Sequence, residues 1–450
     1  MLKKKAGIKV LIALAVFCFT YADISAQNSV VSPYSRIGFG EIHGMDLPHV
    51  QAMGGLGSSH WSYNNLNINN PASYAYLRTA SLNAGFNLKY NRLSDGDNST
   101  GIWSGGLNQL IIGFPLINSI NELLSETYSD WRFGSVLGIL PYSGVGFDIR
   151  SEDIDPEIGS VVRDYSGSGG TNLIFIGQAV RYKNTSIGLN IGYLFGSIEE
   201  SRTVTFPDAF VHYRNRFDDE IKISGIYYKL GFMHDIILER SETDPYFDDR
   251  GKPLRYITLG AHVKPSTSFD NKANSFYLSE HVFFPANRDT LLLTDGQKSS
   301  GNLPPEFGFG ASYIVKDKWQ VGMDFSLGLW SQYENEAKQE DLKNSFRFGV
   351  GGAYTPNHNS ITSFFERVNY RGGLYYMNDP RSVNDQQVYE YGLTFGASFP
   401  FIVQRQISHL NTSFTLGKRG VDDGLQETFF NINLGFTVND NTWFIKRRFD

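Results

Sequence analysis

The sequence predicts an all-β protein, an antiparallel β-barrel that crosses a membrane on its strands. Three observations support this fold class. Apolar and small or polar residues alternate all along the chain, the N-terminus has the layout of a secretion signal, and aromatic residues make up 14% of a sequence that contains 46 glycines. Beyond the N-terminus no apolar run is close to the length of about 18 residues that indicates a membrane helix, so the elements that cross the membrane must be strands.

The N-terminus predicts export. Lysines at positions 3, 4, 5 and 9 precede an apolar run at 10–20, and the small residues Ser25 and Ala26 follow it. The run is shorter than the about 20 residues that span a bilayer, so we interpret residues 1–26 as a signal peptide. The only cysteine, Cys18, lies inside this segment. The mature chain therefore has no disulfide, thiol chemistry or cysteine metal ligand.

The segment Thr185–Ser197 shows the alternation most clearly. Its odd positions include Ile187, Ile191 and Tyr193, whereas its even positions are small or polar, with only Leu194 as an exception. Successive side chains of a strand point to opposite faces, so lipid would cover one face and small residues would line the lumen. Small inward residues leave volume for a cavity or a channel. The pattern recurs at 81–90, 131–139, 226–232, 307–315, 319–329, 346–354, 391–399, 410–416 and 430–438.

Aromatic residues at the ends of these segments predict the two girdles that barrels place at the membrane interfaces. The candidates are Tyr90, Trp131, Trp319, Trp330, Tyr354 and Tyr391. The short stretch Val315–Lys318 predicts a tight hairpin. Longer polar stretches predict loops on the opposite side, at Asp95–Thr100, Ser151–Asp164, Glu239–Lys252, Ala286–Gly301, Gln332–Asp341 and Tyr376–Gln387. A soluble β-sandwich or a propeller also alternates and is the alternative fold.

Residues 27–79 lack the alternation and are rich in Gly, Asn and Ser. Their scattered large apolar side chains would be costly to leave in water, which predicts a plug folded into the barrel lumen. We call this segment the hatch. The predicted organisation is a signal peptide at 1–26, the hatch at 27–79 and the barrel at 80–450.

The hatch carries a family resemblance. "AMGGLG" (Ala52–Gly57) followed by "NNPASYAYL" (Asn69–Leu77) resembles the N-terminal hatch of FadL-like outer-membrane transporters of hydrocarbons and long-chain fatty acids. Members of that family carry an Asn-Pro-Ala triplet just before the first barrel strand, and Asn70, Pro71 and Ala72 match it. The stretch at 303–326 is similar to the family's proline-then-hairpin segment.

The resemblance implies a barrel of about 14 strands in the outer membrane, with the hatch inside the lumen. It further implies a channel for passive uptake of hydrophobic small molecules, fatty-acid-like or aromatic, that the hatch gates. Asn70, Pro71 and Ala72 would anchor the hatch. The candidates for the ligand path are Phe39, Met53, Leu56 and Trp61.

Members of the family release ligand sideways through a gap in the barrel wall, and such a gap leaves strand backbone that the protein or water must satisfy. Pro141 interrupts a strand-like run and is the candidate for a kink at that place. The alternative is that Pro141 lies in an ordinary short turn.

Two other functions remain open. The broad group also contains PorV-type barrels, which serve type IX secretion by binding exported proteins, so a protein-interaction barrel is the first alternative. A structural barrel without traffic is the second. The expected partners are membrane lipids and a hydrophobic small molecule, with secretion-machinery proteins in the first alternative.

No pattern for chemistry emerges. The sequence has no P-loop, H-E-x-x-H or G-x-S-x-G motif, and we expect no enzymatic activity and no cofactor. His43, His49 and His60 share the hatch but lack the spacing of metal ligands, so no metal is expected. A formal net charge of −6 gives no reason to expect nucleic-acid binding.

Overall fold

A computed structural model describes residues 30–96, 98–118, 120–122, 129–208, 213–241, 252–284, 286, 288–403, 406–422 and 424–442. The predicted signal peptide lies outside these residues. Among the described residues, no helix is both long enough and apolar enough to cross a bilayer.

The described residues form 18 strands. Four lie outside the barrel ring: β1 (Glu41–Ile42), β9 (Thr267–His281), β10 (Arg288–Leu303) and β13 (Glu334–Asn335). The ring consists of β2 (Ala80–Asp95), β3 (Asn98–Pro115), β4 (Trp131–Asp155), β5 (Gly159–Tyr182), β6 (Thr185–Thr205), β7 (Tyr213–Ser241), β8 (Lys252–Lys264), β11 (Glu306–Val315), β12 (Trp319–Gly328), β14 (Ser345–Tyr354), β15 (Asn369–Val383), β16 (Gln386–Val403), β17 (Gln406–Gly420) and β18 (Gln426–Asp440).

The ring is a closed antiparallel barrel of 14 strands, as predicted. It closes where β18 pairs with β2 over their whole length. Between β8 and β11 the chain leaves the ring to form the hairpin β9–β10. Because β8 covers only the Leu230–Ser241 half of β7, the other half of β7 pairs with β9.

The barrel has two unlike ends. At the near end β2 begins and β18 ends, and at the far end several strands continue well past the ring. β4 has 25 residues and β7 has 29, against the about 9–11 that cross a bilayer at the usual tilt. Because outer-membrane barrels carry their larger connections outside the cell, we assign the far end to the extracellular side.

Helical structure among the described residues is confined to short pieces. The hatch contains the α-helix Pro48–Gln51 and the 3-10 turns Pro33–Arg36 and Pro71–Tyr76. Two further 3-10 turns, Trp330–Gln332 and Phe365–Arg367, lie in connections between barrel strands.

The predicted apolar faces point away from the barrel axis. Ile187 is 55% exposed and Ile191 is 44% exposed, whereas their neighbours Gly188 and Asn190 are buried. The same split holds on the other ring strands, which leaves a continuous apolar belt for lipid to cover.

The aromatic girdles form at both edges of the belt, with one exception. At the near end the rings of Trp131 and Tyr182 lie 4.7 Å apart, and at the far end those of Tyr90 and Trp103 lie 5.0 Å apart. Trp330 was wrongly predicted as a girdle residue, since only 3% of it is exposed. The chain turns inward after β12, and alternation along β12 cannot reveal that turn.

The loop predictions were partly wrong. The tight hairpin at Val315–Lys318 joins β11 to β12 as predicted. Ser151–Asp164, however, mostly extends β4 and β5, and most of Ala286–Gly301 belongs to β10. Beyond the bilayer both faces of a strand meet water, so the alternation vanishes although the pairing continues. Glu239–Lys252 joins β7 to β8 at the near end, opposite the other long stretches.

The inward glycines make room for the hatch. A Cβ atom at Gly260 would overlap the carbonyl of Ser58, and one at Gly134 would overlap that of Tyr74. The hatch backbone therefore approaches the wall more closely than any side chain would allow. Other ring glycines whose Cβ would meet the hatch are Gly113, Gly188, Gly231, Gly349, Gly351, Gly373 and Gly396.

Candidate functional site

Asn70 ties the hatch to the wall through neutral hydrogen bonds. Its fully buried amide nitrogen donates to the carbonyls of Ser58, Phe232 and Ala261 at 2.7, 3.0 and 3.2 Å. Its amide oxygen accepts the backbone N–H of Ala72 at 3.1 Å and so caps the 3-10 turn Pro71–Tyr76. One side chain thus joins two parts of the hatch to β7 and β8.

Pro71 and Ala72 complete this contact. Pro71 begins the 3-10 turn, where its fixed φ and missing N–H are tolerated, and it lies against Gly231 of β7. Ala72 is fully buried and packs with Tyr76 and Met233.

Asp235 of β7 is a second anchor of the hatch that sequence reasoning missed, and it also lies 3.7 Å from the guanidinium group of Arg181. It accepts hydrogen bonds from Trp61 Nε1 at 3.1 Å, Tyr76 Oη at 2.9 Å and Thr258 Oγ1 at 2.6 Å. The Trp61 ring stacks on Tyr76 with centroids 4.3 Å apart. A carboxylate that is only 1% exposed thereby gains three donors from two elements.

Ion pairs hold the other side of the hatch. Glu41 of β1 contacts Arg419 of β17 and Lys89 of β2, each at 3.1 Å. Arg419 also pairs with Glu427 of β18. Burial alone would raise the pKa of Glu41, but Arg419 and Lys89 outweigh it and hold that pKa well below its usual value. Glu41 is therefore a carboxylate at any physiological pH.

Asp46 forms the next ionic contact along the hatch. Arg347 of β14 donates to its carboxylate at 2.8 Å and to the carbonyl of Gly54 at 3.3 Å. Asp324 of β12 accepts the backbone N–H of Ser58 at 2.7 Å. The spacing of these residues in the sequence, hundreds of positions apart, gave no signal that they would meet.

A cavity of about 370 Å³ lies between this ionic side of the hatch and the wall. Its lining mixes apolar residues with many charged ones from both the hatch and the barrel. The charged residues of the lining are Glu41, Asp46, Lys89, Lys229, Glu306, Asp324, Arg347, Asp379, Arg381, Glu390 and Arg419. Such a lining suits a molecule with a polar or charged group better than a wholly apolar one.

Lys229 is the cation of this lining best placed to meet a bound anion. It lies on β7, is 6% exposed, and among the described residues its ammonium group makes no ion pair or direct hydrogen bond. The other cations named above each contact a carboxylate directly. A buried ammonium group without a direct partner favours the arrival of an anionic group.

The cavity reaches a seam in the barrel wall. β3 and β4 pair only over Leu110–Pro115 and Gly134–Ile139, and farther out the described strands do not pair with each other. We call this seam, between residues 98–109 of β3 and 140–155 of β4, the side gap. Residues on both sides of the side gap line the cavity: residues 106–108 on β3, and Pro141 and Tyr142 on β4.

The hatch satisfies backbone groups of β4 along the side gap. β1 pairs with Ser143 and Gly144, and the N–H of Ser32 donates to the carbonyl of Gly146 at 2.8 Å. Pro141 itself lies within β4 and not in a turn, and the pairing of β4 with β5 shifts register between Pro141 and Ser143. The irregularity begins two residues beyond the last pair between β3 and β4.

None of the four candidate ligand-path residues lines the cavity. Phe39 packs edge-on against Tyr142 and Phe269. Met53 and Leu56 are fully buried, and Trp61 belongs to the contact with Asp235. These four residues therefore lie at separate places along the contact between the hatch and the barrel wall.

Two of the three hatch histidines, His49 and His60, are buried, whereas His43 is half-buried and lines the cavity. His49 and His60 have ring centroids 5.5 Å apart, and burial lowers the pKa of His60 to about 4. Among the described residues, no three of His, Cys, Asp or Glu are arranged to hold a metal ion. Ser58 contacts both His262 and Asp324, but the carboxylate bonds the serine and not the histidine, unlike a nucleophilic triad.

Comparison with solved structures places the fold. A Pseudomonas aeruginosa FadL homologue aligns with a TM-score of 0.54 and 13% identity over 89% of this chain and 99% of that one. The P. putida toluene transporter TodX gives 0.54 and 14% over 88% and 98%, and the Ralstonia pickettii toluene transporter TbuX gives 0.50 and 13% over 88% and 98%. No curated protein sequence matches the chain.

The chain therefore has the fold of these barrels, a closed 14-strand transmembrane β-barrel with a hatch in its lumen. The model of the BamG family matches residues 7–450, and the chain belongs to the BamG family.

Proposed function

We propose that the protein is an outer-membrane channel for passive uptake of amphipathic, fatty-acid-like molecules through the side gap. The observation that carries this proposal is the continuity of the cavity with the side gap, since residues of both bounding strands line it. A ligand with an apolar tail can lie along the seam while its head group enters the charged cavity.

The charges of the cavity favour a fatty-acid-like ligand over an aromatic hydrocarbon. Within the described part of the chain the ammonium group of Lys229 has no direct partner, and it can meet a carboxylate. Toluene carries no group that could compensate the ammonium group of Lys229. The stretch Glu41–Asp46 is the part of the hatch that gates the path, because it lines both the cavity and the wall contact of β1.

Binding of paired probes tests the proposal. Purified barrel is titrated with a fluorescent long-chain fatty acid and with the alcohol of the same chain. Lys229→Met should weaken binding of the acid about tenfold or more and leave binding of the alcohol unchanged. The control Lys222→Met changes a half-exposed lysine farther along the same strand. Equal affinity of all three proteins for the acid would contradict the proposal.

The far end favours a second candidate function, a protein-interaction barrel in a secretion or assembly machine. A 25-residue strand tilted by about 40° rises roughly 60 Å, about twice the hydrocarbon thickness. The strands β4–β7 and the hairpin β9–β10 thus present a wall of sheet outside the membrane. Co-purification of stable partner proteins, with no uptake by the reconstituted barrel, would select this candidate.

A further inference from the structure

The hairpin β9–β10 ends the extracellular wall of sheet with an open edge. Along one side β10 pairs with β9 from Arg288 to Leu303. On its other side only Gly301 and Asn302 pair, with β13, and Glu336 bonds the backbone of Ser300. Among the described residues, no strand covers that side from Arg288 to Ser299. We call this stretch the β10 edge.

The β10 edge is apolar where it is most exposed. Leu291, Leu292 and Leu293 are 53%, 42% and 71% exposed. Natural edge strands usually carry lysine, proline or an inward charge that prevents pairing with another chain. The centre of this edge, Thr290–Thr294, has none of these. The pairing with β9 shifts register between Thr290 and Leu292 and between Thr294 and Gln297, so the regular stretch Leu292–Thr294, with its unpaired backbone groups and exposed leucines, is the template for strand addition.

The edge stands clear of the lipid belt. Arg288 pairs with Glu280 of β9, and Glu280 pairs in turn with Arg214 at the outermost end of β7. Leu292 pairs with Tyr277 of β9, and Tyr277 pairs with Phe217 of β7. The lipid-facing residues of β7, such as Ile226 and Leu230, lie nine residues or more farther down the strand than Phe217. Water, and not lipid, therefore surrounds the exposed leucines unless a protein covers them.

A second copy of the barrel does not fit this edge. Two copies in one membrane are related by an axis along the membrane normal. The hairpin pairs with β7 and shares the tilt of the barrel strands, which is about 35–45°. The two-fold axis reverses that tilt in the second copy, so the two edges would cross steeply and could not form a ladder.

We propose that the β10 edge is a docking site for an extended segment of a different protein at the cell surface, which adds to the sheet as a further strand. One acidic and one basic residue lie on each side of the leucines: Arg288 and Asp289 before them, Asp295 and Lys298 after them. A complementary segment would therefore have an apolar centre and charged residues of both signs at its ends. This inference deepens the protein-interaction candidate and does not depend on uptake.

Crosslinking in register tests the docking site. A photoreactive residue is placed in living cells at positions 292 and 294 in turn, within the regularly paired stretch Leu292–Thr294, and the crosslinked sites are mapped by mass spectrometry. Strand addition predicts that this two-residue step along β10 moves the crosslink by two residues along one partner segment. Crosslinks scattered without register, crosslinks to lipid or to a second copy, or no crosslink at all would overturn the proposal.

Charged variants separate docking from folding. Leu291→Lys combined with Leu293→Lys should lower the crosslink yield from position 292 about tenfold, because charged side chains block strand addition at an edge. Ile154→Lys changes an even more exposed apolar residue at the end of β4 and should leave the yield unchanged. A difference in gel mobility between heated and unheated samples shows that each variant barrel is folded. Equal loss in both variants would overturn the proposal without bearing on fatty-acid binding at Lys229.

Discussion

Replacing Asn70 by Asp should release the hatch without unfolding the barrel. The change keeps the shape of the side chain but removes the amide donor that now faces three carbonyls. Each lost hydrogen bond costs about 1 kcal/mol, and the desolvated carboxyl group adds to that. We expect the seated hatch to lose about 3 kcal/mol, which is about a hundredfold in the equilibrium between seated and released hatch.

Cysteine labelling measures this equilibrium. The sequence contains only Cys18, which lies in the predicted signal peptide, so Ala75→Cys gives the mature chain a single thiol in a site that is 2% exposed. A water-soluble maleimide reacts with it only when the hatch opens, so the labelling rate follows the opening constant. Asn70→Asp should raise that rate about a hundredfold.

The matched control is Asn359→Asp, which makes the same chemical change in an exposed connection at the near end. It should leave the labelling rate unchanged. If the rate were the same in all three proteins while the barrels stayed folded, Asn70 would not anchor the hatch. The same Asn70 variant, and replacement of Pro71, should also alter uptake of a hydrophobic substrate without preventing barrel assembly.

Three further predictions use the same labelling assay. Gly260→Ala should raise the labelling rate about ten- to a hundredfold, because the new Cβ atom overlaps Ser58. The control Gly372→Ala should not change the rate, because the nearest atom to its Cβ would be 3.9 Å away. Equal rates in the two variants would contradict the claim that inward glycines make room for the hatch. Arg419→Met should raise the labelling rate by a similar or larger factor, because Glu41 and Glu427 lose their partner. Adding Glu427→Gln should bring the rate part of the way back. A double variant that is labelled as fast as Arg419→Met would refute the ion-pair account. Burial lowers the pKa of His60 to about 4, so an opened hatch binds an extra proton at this residue between pH 6.5 and 4. His60 alone should weaken seating by up to about 3 kcal/mol as the pH falls through that window. His60→Gln should reduce the slope but not abolish it, because burial also lowers the pKa of the neighbouring His49.

The belt could be predicted from the sequence because lipid imposes one rule on every strand. The alternation alone predicts that side chains such as those of Ile187 and Ile191 face outward. The rule fails where the lipid ends, which explains why Ser151–Asp164 was predicted as a loop and found largely as strand. It also fails where the chain turns inward, as at Trp330.

The hatch contacts were harder to predict. The Asn-Pro-Ala triplet pointed to position 70, but the partners of Asn70 are backbone carbonyls, which carry no sequence signal. The pairing of Glu41 with Arg419 joins residues almost 400 positions apart, and no local pattern links them. The inward glycines were visible, but their alternation alone did not show that the hatch would fill the volume they leave.

Uptake through the side gap tests the central claim most directly. Gly106 lines the cavity on β3, and Ser99 lies exposed farther out on the same strand. In vesicles containing the purified barrel, the account predicts that Gly106→Trp slows entry of a long-chain fatty acid about tenfold or more while Ser99→Trp leaves it unchanged. Equal rates in both variants, or no faster entry than in vesicles without protein, would contradict a path through the wall.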